Sequence, residues 1–147
     1  MRISSKGRYA LVSMIYMARR FDSKGFITVA SISERFGISK IYLEQVFALL
    51  KKGGLVISTK GSQGGYQISR SPSEITAYDI LFSVENTLFE DAEDTVAKSA
   101  PAYEKAINNL IFVNLDTIVR QTLCGITLKD LVDETDRNDE QSLMYYI

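Results

Sequence analysis

Between Thr28 and Ser69 the chain sets out two short amphipathic segments parted by a glycine, then two strand-like runs around a glycine-rich loop. Few folds accept that order of parts. Thr28 is placed to cap a first helix that carries Val29, Ile32 and Phe36 on one face; Gly37 ends it, and Ser39 caps the next. The second helix, Lys40 to about Lys52, turns Leu43, Val46, Phe47 and Leu50 inward at helical spacing and lets Lys40, Tyr42, Glu44 and Gln45 project from its first turns. Two helices joined by a short glycine-containing turn form a helix-turn-helix, whose second helix lies in the major groove of a duplex. Leu55–Thr59 and Tyr66–Ser69 then read as strands flanking Lys60, Gly61, Ser62, Gln63, Gly64 and Gly65. A hairpin tip with Lys60 and Ser62 on closely approaching backbone suits a phosphate or minor-groove edge. The expected fold is mainly α with a small β wing, a winged helix-turn-helix domain followed by a long dimerisation helix.

Charge is divided along the chain in the way this fold would need. Residues 1–70 hold 12 Lys and Arg against 3 Asp and Glu, a net of +9, whereas residues 71–147 hold 5 against 15, a net of −10. The basic half has the electrostatic footprint of a nucleic-acid module. One cysteine excludes an intrachain disulfide, and the absence of histidine removes the commonest metal ligand and general base, so most hydrolytic and zinc chemistry is not expected. No run approaches the roughly 18–20 apolar residues of a membrane span, and the chain enters a patterned helix directly after Met1-Arg2-Ile3-Ser4, which points to the cytoplasm.

The remaining segments frame the motif. A helix from about Lys6 to Arg20 offers Tyr9, Leu11, Val12, Ile15, Tyr16 and Met17 as an apolar cover, and starts with Arg2, Lys6 and Arg8. Cations at a helix start oppose its dipole, so phosphate contact is the expected return. Thr76 to Asp79 is a capping-box variant opening a short helix to about Glu85. Residues 88–100 read as a solvated acidic loop that lacks the spacing of a calcium site, and no metal is expected there. Pro101 opens a long helix to about Leu123, ended by Gly125. Its apolar surface, including Ile107, Leu110, Ile111 and Ile118, is wider than one small domain covers, so pairing with a second copy is expected, with the two-fold symmetry of a palindromic operator. Thr127 to Asp130 caps a last short helix, followed by a polar segment, Asp133 to Gln141, and an apolar tail. The divisions are thus 1–86 (winged helix-turn-helix), 87–101 (acidic loop), 102–124 (dimerisation helix) and 125–147 (C-terminal helix and tail).

Several of these runs together resemble a known family. Arg2-Ile-Ser-Ser-Lys-Gly-Arg-Tyr-Ala10, Ile32-Ser-Glu-Arg-Phe-Gly-Ile-Ser39, Tyr42-Leu-Glu-Gln45, Gly54-Leu-Val56 and Gly64-Gly-Tyr66 resemble the IscR/NsrR/CymR family of bacterial winged-helix transcription regulators. The resemblance covers essentially the whole chain. It implies a homodimer on double-stranded DNA, with base contact by Ser39, Tyr42, Glu44 and Gln45, wing contact by Lys60 and Ser62, and support from Arg2 and Lys6. A carboxylate such as Glu44 accepts from cytosine's amino group, and an amide such as Gln45 pairs with adenine. Cluster-binding members carry three cysteines before the dimerisation helix; here residues 88–100 have none, so no iron-sulfur cofactor is expected. The acidic segment and the Tyr145-Tyr146-Ile147 end are similar instead to the CymR branch of cysteine-metabolism repressors. That likeness implies no cofactor, and cysteine synthase (O-acetylserine thiol-lyase) as a partner capturing Tyr145, Tyr146 and Ile147.

Two other functions compete. Cys124 would serve a thiol-redox regulator, although Arg120 is the one nearby group in sequence able to lower its pKa. A protein-interaction module without DNA binding would not need the basic half. An enzyme is not expected, because the paired carboxylates fall in no water-excluding element.

Overall fold

Two side-chain caps and one left-handed glycine build the turn at the centre of the chain. In the computed structural model, which describes residues 2–23, 25–61, 64–91, 93 and 95–145 (Tyr145 by its backbone), α1 spans Ser5–Ala18, α2 Val29–Phe36 and α3 Lys40–Lys52. Thr28 Oγ1 accepts from the Ser31 N–H at 3.1 Å, and Ser39 Oγ from the Tyr42 N–H at 3.4 Å. Gly37 ends α2 at φ 65°, a backbone state that costs glycine nothing. Ser33 Oγ closes the turn by donating to the Ile38 carbonyl at 2.6 Å.

Leu43, Val46, Phe47 and Leu50 are all fully buried, as their spacing predicts. The cover laid over them by α1 is narrower than expected. Its inner line is Ala10, Met14, Met17 and Ala18, while Tyr9, Leu11, Ile15 and Tyr16 only flank the core. α1 packs against α3, α4 (Ala77–Val84) and α7 (Leu128–Tyr145) at once. Small Ala and flexible Met let three helices approach it closely, and the bulkier residues fill the seams. Phe36 stays partly exposed and meets Tyr16 edge-on at 5.4 Å.

Strands β1 (Val56–Thr59) and β2 (Gly65–Ile68) pair antiparallel, with Val56 opposite Ile68 and Thr59 opposite Gly65. Ile27 adds a third rung that its sequence did not announce. Its N–H and carbonyl both bond Tyr66 at 2.8 Å, so β2 is tied to the residue just before the cap of α2.

The capping box at Thr76 and Asp79 forms as expected, at 2.9 and 3.1 Å. A second one, Thr127 with Asp130, stands beside it: Ala77 N–H bonds the Ile126 carbonyl at 2.8 Å and Leu128 N–H the Ile75 carbonyl at 2.7 Å. The Thr127 backbone N–H, then its hydroxyl, hold the Asp130 carboxyl below the usual carboxylate range. This contribution is therefore present above the unfolded-state value and fades as pH falls through the folded one. Leu128 joins the same core as α1 and α3.

The expected short last helix is a correction. Asp133 to Gln141 belongs to one 18-residue helix, α7, rather than to an irregular polar segment. Nothing in that run breaks a helix, and Lys129 to Asp133 at 2.8 Å, with Arg137 to Glu134, supports it from within. Hydrogen bonding to Asp133 raises the pKa of Lys129. Arg19, just past the end of α1, forks to Asp136 and Asp139, each at 3.0 Å, and ties α7 to α1.

Residues 101–124 are helical as expected, but the helix is not uniform. α5 (Pro101–Ile107) and α6 (Val113–Cys124) are joined by a π turn, Asn108–Phe112. The wider turn rotates the side chains after it, which spreads the apolar surface over more than one stripe. Leu110 is 74% exposed and Ile118 59%, with Ile107 and Ile111 also open. The preceding segment is less free than its acidity suggests: Phe89 packs on Tyr78 and Phe82 with ring centroids 5.1 and 5.5 Å away. Among the described residues no helix is long and apolar enough to cross a membrane.

Candidate nucleic-acid interface

With one face of α3 buried, the other is determined by the helical period. Lys40, Ile41, Glu44, Gln45 and Ala48 are exposed, and Ile41, Glu44, Gln45 and Ala48 follow the spacing of one face. Lys40, Glu44 and Gln45 therefore stand where the sequence places them. Tyr42 does not. It is half-buried between α1 and α3, its ring edge-on to Tyr9 at 5.4 Å, because a residue one step from Leu43 and four from Val46 flanks the buried stripe. Ser39 is exposed, but its oxygen is engaged as the cap of α3, which leaves its O–H to donate outward. Ile41 and Ala48 are the members of this face that the sequence reading passed over. An apolar residue at i and i+7 around two polar ones was the available signal.

The wing presents Thr59 and Lys60 to solvent. Ser62 lies outside the described residues, as do Tyr146 and Ile147 and the side chain of Tyr145. Arg2 and Arg8 are exposed at the start of α1, and Lys6 is half-buried.

What holds that basic start in place is Glu85, which nothing in the local sequence marks. Its Oε1 accepts from the Ser4 N–H at 2.9 Å and from the Ser4 hydroxyl at 2.8 Å, while Ser4 Oγ caps α1 by accepting from the Gly7 N–H at 3.2 Å. A Cβ at Gly7 would sit 2.2 Å from Glu85 Oε1, so glycine is required for the close approach. α1 has no acidic residue in its first turn. The carboxylate from the end of α4 supplies the anion that the helix dipole favours, and offsets the repulsion of Arg2, Lys6 and Arg8. Bonds linking residues 81 positions apart could not be read from a local pattern.

Cys124 is exposed at the end of α6, and Arg120 stands 5.1 Å over the Tyr78 ring. Among the described residues no group of three or more Cys, Asp or Glu could hold a metal ion.

The model of the Rrf2 family, described as iron-dependent transcriptional regulators, matches residues 3–134. The chain belongs to the Rrf2 family. It is 34% identical to the regulator CymR of Bacillus subtilis over 149 aligned positions, covering all of both chains, and 36% identical to IscR of Serratia proteamaculans over 137, covering 92% of this chain and 82% of that one. The structure of B. subtilis CymR, described as a global cysteine regulator, superposes with a TM-score of 0.73 at 31% identity, over 91% of this chain and 98% of that one. IscR of T. potens gives 0.70 at 32% identity, over 92% and 88%. The winged-helix fold and the function as a helix-turn-helix transcription regulator, not an enzyme, follow from this membership. The iron in the Rrf2 description meets a poor donor set here: one cysteine and no histidine cannot supply the roughly four soft ligands of a cluster.

The Glu85 clamp carries a direct prediction. Glu85→Ala removes the acceptor of both Ser4 bonds and should lower the unfolding free energy by roughly 1.5–3 kcal/mol, the range for hydrogen bonds to a charged group, with Glu85→Gln losing less because it keeps an oxygen. Urea titrations followed by circular dichroism measure this; a midpoint unchanged in Glu85→Ala would show that the clamp contributes nothing to stability.

Proposed function

We propose that this Rrf2 regulator is a cytoplasmic homodimeric repressor of cysteine or sulfur metabolism that reads a palindromic operator without an iron-sulfur cluster. The observation that carries it is the two-sidedness of α3. Its apolar side is fully buried, and Lys40, Glu44 and Gln45 stand free beside a basic N-terminal half. Glu44 and Gln45 take base edges, and Lys40, Lys60, Arg2, Lys6 and Arg8 neutralise phosphates. The Ser39 hydroxyl donates from the helix start, and Tyr42 supports the reading face through Tyr9. Ser62 is kept as a wing contact on resemblance alone.

The homodimer is supported by the long helix, on which Leu110, Ile111, Val113, Leu115 and Ile118 remain 49–74% exposed. A second copy would bury Ile107, Leu110, Ile111 and Ile118 against their own equivalents and set two α3 helices at the spacing of two half-sites. Identities to CymR and IscR relatives are similar, so the cluster-free branch is chosen on the missing thiolates. The sulfur assignment and cysteine synthase as partner rest on likeness to CymR and on the tail. Leu143 and Met144 are exposed near the end of α7.

Three outcomes are expected. On an operator selected from random duplexes, Gln45→Ala should cost roughly 1–3 kcal/mol and relax one position, whereas Lys60→Ala should weaken all sequences and flatten the salt dependence by about one unit; fluorescence anisotropy would refute the base contact if Gln45→Ala lost equally on random DNA. Leu110→Asp should give monomer or insoluble protein, since it would bury an unpaired carboxylate between copies, and a soluble dimer by light scattering would move the interface elsewhere. Calorimetry with cysteine synthase should show binding that disappears when Tyr146 and Ile147 are deleted; equal affinity for the shortened chain would end the partner assignment.

A further inference from the structure

Ile41 is the one large apolar side chain exposed on α3, and it is 71% exposed. The core does not account for it, since Leu43, Val46, Phe47 and Leu50 already fill the buried side of the same helix. It sits one residue after the first of α3, in the turn whose side chains reach base edges when such a helix enters the major groove. Glu44, Gln45 and Ala48 follow it at three, four and seven residues, so all four share one face. Side-chain branching at Cβ leaves one strongly preferred χ1 in a helix, so Ile41 projects as a stiff apolar post between polar groups.

We infer that Ile41 is a specificity-determining residue that reads the 5-methyl group of a thymine in the operator. In the major groove only thymine offers an apolar group; the other base edges present hydrogen-bond donors and acceptors. Placing Ile41 over those edges strips water and returns no hydrogen bond, which penalises them, whereas over a thymine methyl both apolar surfaces leave water together. The residue thus selects by attraction to one base and by cost against the rest. Ala48, small and on the same face, leaves room for backbone approach beside it. This inference rests on the reading of α3 as the recognition helix.

The test uses the full chain and duplexes enriched from a random-sequence pool by the wild-type protein. Each thymine of the enriched half-site is replaced in turn by deoxyuridine, which removes the methyl and leaves base pairing intact. At one position, repeated symmetrically in the other half-site, wild type should weaken about fourfold per half-site, the factor that burial of one methyl-sized group supplies. Ile41→Ala should bind the thymine and deoxyuridine duplexes equally, Ile41→Val should keep part of the preference, and Ile41→Ala should bind random duplex no more weakly than wild type, because the cost against the other base edges is relieved. The exposed position makes these variants fold normally, which circular dichroism checks. If no thymine distinguishes wild type from Ile41→Ala, or if Ile41→Ala changes the oligomeric mass and not the methyl preference, the inference is overturned. A pool that yields no enriched sequence overturns the reading of α3 itself, and the Ile41 role with it, so the two failures are separate results.

Discussion

The burial of Leu43, Val46, Phe47 and Leu50 is the constraint on which the rest of this structure depends. These side chains meet Ala10, Met14 and Met17 of α1 in one core, and Phe47 also touches Tyr66 of the wing, with ring centroids 4.7 Å apart. A helix locked on one side has no rotational freedom on the other. The outward set of Lys40, Ile41, Glu44, Gln45 and Ala48 is therefore presented at a defined angle to the wing. Preorganisation of this kind reduces the ordering cost of binding.

Electrostatics are arranged around that rigid unit by acids from the opposite half of the chain. Glu85 pins the start of α1, and Asp136 with Asp139 grips Arg19 near its end. The chain's two oppositely charged halves are thus not two independent bodies. Exposed pairs such as those of Arg19 contribute little stability and weaken with salt, whereas the Glu85 bonds are partly shielded and also cap a helix. Arg2 and Arg8 stay exposed beside Ser4, which Glu85 engages, and the two aspartates engage Arg19.

The paired capping boxes at Thr76 and Thr127 join the winged helix to the C-terminal helices. Their short antiparallel bridge brings Leu128 into the core, and α6 returns along α4, where Arg120 covers the Tyr78 ring. The apolar surface of the long helix is therefore carried on the same framework as α3. A second copy docking there would inherit a set position for both α3 helices.

Local chemistry made much of this legible from residues alone. Thr28, Gly37, Ser39, Thr76 and Pro101 mark their helix ends because caps, left-handed turns and missing N–H groups act within four residues. The inward stripe of α3 and the glycine-rich hairpin were legible for the same reason, and so were the outward positions of Lys40, Glu44 and Gln45. Tyr42 was misplaced because residues flanking a stripe are decided by the neighbouring helix, here by Tyr9. The continuity of α7 was missed because polar residues without breakers take the conformation that docking permits, and Arg19 provides the dock. The sequence by itself determined the order of elements, the capped turn and the split of charge, all of which arise from short-range sterics and hydrogen bonding. Only the tertiary structure decided that Glu85 holds Ser4 and that Ile27 extends the wing, because each depends on which distant surfaces meet once the core has closed.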